Sequence, residues 1–140
     1  MQFDPSIAAQ SSFKRAQEAE ELGDDLDAAR EAEETFSSSA GAEAKSAYEQ
    51  LQQIGKRYPH AKAFQEFLIH ITWQQVTEET IPVHFRKGLE LCDQYLATWN
   101  DDDSVQGNQV RELRISFRAG LGLDDEEDND YDLDTFKGGD

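Results

Sequence analysis

Only one cysteine, Cys92, occurs in the 140 residues. An intrachain disulfide is therefore impossible, which agrees with a reducing compartment. Basic residues are scarce as well: 13 lysines and arginines stand against 30 aspartates and glutamates, a net charge of −17. Direct binding to nucleic-acid phosphates or to an anionic membrane needs clustered cations, so neither is expected. No apolar run reaches membrane-spanning length. The opening M-Q-F-D-P-S-I-A-A-Q lacks both the basic and the apolar region of a secretion signal, and a cytoplasmic protein is expected. Nor does any segment alternate apolar and polar residues for long enough to make a strand.

What is present is helical periodicity. It is clearest over Ala61–Val76, where Phe64, Phe67, Leu68 and Ile71 share one face and Ile69, Trp73 and Val76 form a second apolar stripe. A helix that is apolar on more than one side is packed on more than one side, so this segment is expected at the centre of the fold. Around it the patterning predicts five further helices. The first, about Ser6 to Leu22, offers Ile7, Phe13, Ala16, Ala19 and Leu22 to the interior. Gly23 ends it, and Asp24 stands where the next N-cap belongs. The second, about Asp25 to Phe36, has good helix propensity but only Leu26 and Phe36 as large apolar groups, and reads as a thin surface helix.

After the Ser37–Gly41 linker, Ala44, Ala47, Tyr48, Leu51, Ile54, Gly55 and Tyr58 form one face of a third helix. Pro59 ends it, because the residue before proline avoids the α region. The short turn that follows makes the third and fourth helices antiparallel neighbours. A fifth helix, about Pro82 to Trp99, aligns Phe85, Leu89, Cys92, Leu96 and Trp99. A sixth, about Ser104 to Gly120, aligns Val110, Leu113, Phe117 and Leu121. From Leu123 onward dense acid with few apolar residues predicts a disordered tail. The expected architecture is one all-α domain over residues 1–122, six helices arranged as three antiparallel hairpins, with an acidic tail over residues 123–140.

Ala16, Gly23 and Ala28 fall at offsets that resemble those of the tetratricopeptide repeat, over roughly residues 9 to 42. There a small residue on the first helix meets a small residue on the second, with a glycine at the turn. The family's bulky positions are Ser12 and Ala19 here, and the later hairpins do not keep the register. The resemblance implies a binding scaffold with a concave groove and no chemistry of its own. A repeat-like array and an unrelated helical bundle both fit the pattern.

Motifs for chemistry are few. His60, His70 and His84 have no H-x-x-x-H spacing, and Cys92 has no C-x-x-C companion, so no zinc site is expected. Glu66, Glu78 and Glu79 could act as acids, but nothing in the pattern sets a nucleophile beside them. Asp128, Asp130 and Asp132 suggest the start of a calcium loop. Leu133 replaces its glycine and Gly139 its bidentate carboxylate, which excludes an EF-hand. No cofactor and no enzymatic activity are expected.

Binding features are more numerous. Tyr48, Tyr58, Trp73, Tyr95 and Trp99 are candidate aromatic anchors for a protein partner. Tyr131, Leu133 and Phe136 are set among aspartates in a way that resembles acidic transcriptional activation segments, where charge keeps apolar anchors exposed until a partner groove takes them up. Arg111, Arg114 and Arg118 form a basic stripe along the sixth helix, suited to receive either the acidic tail or a partner's carboxylates. The expected function is a non-catalytic protein–protein interaction module, an adaptor or scaffold. The alternative is an acidic decoy that offers carboxylates in place of phosphates to a basic, nucleic-acid-binding partner.

Overall fold

A computed structural model describes residues 5–75, 81–99 and 104–122. Six α-helices account for most of them: α1 Pro5–Glu18, α2 Leu26–Ser38, α3 Gly41–Arg57, α4 Lys62–Gln74, α5 Ile81–Thr98 and α6 Val105–Gly120, with a short 3₁₀ turn at Gly23–Asp25. There is no strand among the described residues. The chain divides into two compact units, Met1–Gln75 and Val76–Asp140.

In the first unit α4 is the central element, as its two apolar stripes require. One side packs on α1 and another on α3. Its Phe64, Phe67, Leu68, Ile69 and Ile71 are all at most 2% exposed. Phe13 of α1 sits against Phe64 and Phe67, with ring centroids 6.4 and 5.0 Å away. On the α3 side, Gly55 lets the helices close up: a Cβ there would run into Leu68. α2 and α3 form a hairpin of their own. The thin-helix expectation for α2 holds, since only Ala29 and Ala32 of it are buried. The first unit therefore pairs α1 with α4, while the α2–α3 hairpin lies between them in sequence.

The turn after α1 explains that pairing. Glu20 takes a left-handed φ of 56°, which non-glycine residues adopt only where surroundings hold them. The reversal carries Glu21 to the start of α4. Its carboxylate accepts hydrogen bonds from the backbone N–H groups of Ala63 (3.3 Å) and Phe64 (3.1 Å). Ala61, the N-cap residue of α4, offers no side-chain bond, so a residue 40 positions upstream supplies both the acceptor and the negative charge that a helix N-terminus favours. At the other end of that corner, Gln65 Nε2 donates to the carbonyls of Gly55 and Tyr58, which terminate α3.

Two expectations for α1 do not hold. The helix ends at Glu18, so Ala19 falls in an exposed turn. Ile7 is 64% exposed, because the buried seam is Ala9–Ser12–Phe13–Ala16 and Ile7 lies on the opposite side of that period.

The second unit is the α5–α6 hairpin. Its two helices approach through a reciprocal arrangement in which each gives a phenylalanine to the other's glycine. Phe117 of α6 lies over Gly88 of α5, and Phe85 of α5 lies over Gly120 of α6. The two rings meet edge to face at 5.7 Å and 77°, a favoured aromatic geometry. Cys92, Tyr95, Val110 and Leu113 fill the rest of the seam, each at most 4% exposed. Burial pushes the Cys92 thiol well above its ordinary range, so it stays protonated and inert.

Candidate functional site

Two places in the fold concentrate polar chemistry, one buried and one open to solvent. The buried one lies in the α1–α4 seam. Glu66 Oε1 accepts from Arg15 Nη2 at 2.9 Å and from Ser12 Oγ at 3.5 Å, and Arg15 Nη2 also donates to Ser12 Oγ at 3.0 Å. Ser12, Glu66 and, one turn further along α4, His70 are each at most 2% exposed. Burial, with the Arg15 charge in addition, lowers the His70 pKa from its ordinary 6.5 to about 4; the ring is neutral at pH 7. A parallel link joins α3 to α4. Thr72 Oγ1 donates to the Leu68 carbonyl at 2.7 Å, which leaves Tyr48 as donor in the 2.7 Å bond between the two hydroxyls.

This seam orients helices, joining α1 to α4 through the Arg15–Glu66 pair. In the sequence Glu66 stands out as a possible acid, but its partners do not. The available signal was a charge set among Phe64, Phe67 and Leu68, because a buried carboxylate requires a cation. Which cation could not be read, since Arg15 is 51 residues away. Among the described residues, no group of three His, Cys, Asp or Glu is arranged to hold a metal.

The open place is the outer surface of α6. Ser104 starts the helix, its hydroxyl accepting from Gly107 N–H at 3.1 Å. Gly107, Val110, Leu113 and Phe117 then face inward. That register sets Arg111, Arg114 and Arg118 along the border of the buried face and leaves Ile115 outside, 48% exposed. Ile115 is four residues after Arg111 and three before Arg118, so both guanidinium side chains flank it on one helix side. Arg114 Nε donates to Asp93 Oδ1 at 2.6 Å, tying α6 to α5. Arg111 Nη1 donates to Asn108 Oδ1 at 2.9 Å. These bonds orient the two guanidinium groups. Val105 on the same helix and Val83 on α5 are also exposed, at 67% and 59%.

The other expected anchors divide. Tyr48 and Tyr95 are 5% and 1% exposed; they are core residues, because each lies on the inward period of its helix, and they do not present a contact surface. Tyr58 is half-buried and engaged: its hydroxyl bonds the Asp25 carboxyl, and that carboxylate lifts the Tyr58 pKa. Arg57 Nε also donates to Asp25, at 3.1 Å, so Arg57 first and Tyr58 second hold the Asp25 carboxyl below its usual range. Trp73 and Trp99 are half-buried, and the Trp99 ring lies 4.9 Å from that of Tyr95, tilted by 54°. Tyr131, Leu133 and Phe136 lie outside the described residues, as does the whole acidic tail. Among the described residues, no helix is long and apolar enough to cross a membrane. Comparison with family models, with curated proteins and with solved structures finds no match to this chain.

Proposed function

We propose that this protein is a non-catalytic protein–protein interaction module whose docking surface is the outer side of α6. The observation that carries the reading is an exposed isoleucine, Ile115, flanked by Arg111 and Arg118 in a chain of net charge −17. Elsewhere the surface is dominated by carboxylates, and a segment carrying acid around an apolar residue would be repelled there. On α6 it meets cations around an apolar residue. The partner class is therefore an acidic peptide segment with an apolar anchor. Covering the exposed half of Ile115 contributes about 0.7–1.5 kcal/mol and each exposed ion pair about 0.2–1 kcal/mol. Such binding is weak, reversible and salt-sensitive.

Of the two architectures open to the sequence, the packing of α1 on α4 favours a helical bundle over a tetratricopeptide-like array. In that repeat consecutive helices would lean on each other and build a concave groove. The docking surface is accordingly assigned to one helix face.

The acidic-decoy reading retains one specific support. Glu18, Glu20, Asp27, Glu31 and Glu34 of the first unit are all exposed, a display that suits a basic partner. A single experiment separates the readings. The ¹⁵N-labelled protein is titrated at low salt with a synthetic peptide of alternating aspartate and leucine or tyrosine, and separately with oligolysine. The docking reading expects the first peptide to shift α6 amides around Ile115. The decoy reading expects oligolysine to shift α2 amides and leave α6 unmoved. No shift on α6 with the acidic peptide refutes the proposal.

A further inference from the structure

We infer that the docking strip on α6 is occupied by the chain's own C-terminal segment, Asp128–Phe136, which acts as a tethered occupant that an external partner must displace. The inference rests on the reading of α6 as a docking surface and names its resident ligand.

Complementarity carries it. Residues 124–140 hold nine carboxylate side chains against one lysine, and within them D-N-D-Y-D-L-D sets Tyr131 and Leu133 each between two aspartates. Along an extended segment, aspartates two residues apart are about 7 Å apart. Arg111 and Arg118 are separated by a rise of about 10 Å along the helix, a difference that two long, flexible arginine side chains span. An apolar group flanked by acids thus meets Ile115 flanked by guanidiniums. Of the three arginines of α6, Arg114 is paired with Asp93 of α5, while Arg111 and Arg118 flank Ile115, so that side carries two cations against one acid of its own helix, Glu112.

Reach allows it. The stretch from Gly122 to Tyr131 spans up to about 30 Å when extended, three times the distance to be retraced. Gly122 has a left-handed φ of 78°, and its N–H bonds the Ala119 carbonyl at 3.0 Å, so α6 ends at a glycine that stops the helix. Tethering supplies what weak contacts lack. A short linker gives an effective concentration of about 1 mM, so a tail of about 0.1 mM intrinsic affinity would weaken a competing peptide about tenfold.

The test uses the full chain. Tyr131, Leu133 and Phe136 are changed together to serine, and the Ile115 methyl and the Arg111 and Arg118 amides are compared with the parent by NMR at low salt. The expected result is a shift of those resonances in the variant, and movement of the parent's resonances toward the variant's positions as salt is raised. The acidic peptide of the previous section should bind the variant about tenfold more tightly than the parent. Arg111→Glu with Arg118→Glu should abolish both effects. Identical α6 resonances in parent and variant overturn the inference. If the peptide still shifts α6 equally in both, only the resident occupant is wrong and the docking surface stands. If it shifts α6 in neither, both are wrong. Parent resonances that change on dilution assign the tail to a second copy, which also overturns the intramolecular contact.

Discussion

Replacing Gly88 by alanine opposes two principles of known size. On helix propensity alone, Gly88→Ala should stabilise α5 by about 0.8–1.0 kcal/mol. In the folded hairpin, however, a Cβ at this position would stand within 3.0 Å of three atoms of the Phe117 ring. Phe117 is 0% exposed, so the ring has nowhere to retreat without the helices separating. Overpacking of this kind costs about 1–3 kcal/mol, and expelling the ring would forfeit about 1.5–3 kcal/mol of burial. The net expectation is a loss of up to about 2 kcal/mol, opposite in sign to the propensity. The assay is urea unfolding followed by Trp99 fluorescence in a Trp73→Phe background, so that the second unit alone is reported. A double-mutant cycle completes it: with Phe117→Leu the obstacle shortens, and Gly88→Ala should become neutral or favourable. A higher urea midpoint for Gly88→Ala in the parent, or no coupling in the cycle, would refute the glycine–ring account.

Other expectations concern the first unit. Phe67→Ala should cost about 3–5 kcal/mol, because Phe67 is 1% exposed and packs between Phe13 and Phe64 at 5.0 and 5.5 Å; a loss under about 1 kcal/mol in denaturant unfolding, the size of surface changes, would contradict the placement of α4 at the centre. Glu66→Ala strands Arg15, whose side chain is 35% exposed and can rehydrate in part, so the loss should fall at or below the low end of the buried-pair range, about 2–3 kcal/mol. Arg15→Met with Glu66→Met should be less harmful than Glu66→Ala alone, and the reverse order would mean that the pair itself stabilises the seam. His70 has a folded pKa below its unfolded value, so the unfolded chain binds the extra proton between pH 6.5 and about 4. Its contribution is fully present above pH 6.5 and is lost as pH falls toward 4, up to about 3 kcal/mol. The difference in stability between the parent and His70→Gln should vary across that window, since carboxylates common to both cancel; a constant difference would show that the ring is not held neutral.

The residues themselves determined the class and most helix positions. The period of Phe64, Phe67, Leu68 and Ile71 could be satisfied only by a helix, and Pro59 could only end one. Two stripes on one helix also placed α4 between neighbours, because apolar area on both sides has to leave water. The apolar period of Val110, Leu113 and Phe117 placed α6 from about Ser104, while the Ser104 cap on Gly107 is visible only in the structure. The Arg111–Arg114–Arg118 stripe was legible too, since its spacing is local.

Tertiary structure decided what depends on distant positions. Local spacing says that α1 has an apolar seam but not which helix covers it. That was settled by Phe13 meeting Phe67, by Arg15 meeting Glu66, and by Glu21 capping α4 across a turn held at Glu20. Tyr48 and Tyr95 resembled anchors because amphipathic side chains suit cores and interfaces alike, and only their neighbours distinguish the two. Ile115 was the converse case: its exposure follows from the choice of Val110, Leu113 and Phe117 as the inward face, a choice made where Phe117 settles over Gly88. Helix formation is governed by residues three and four apart, whereas burial is governed by whichever surface arrives from elsewhere in the chain.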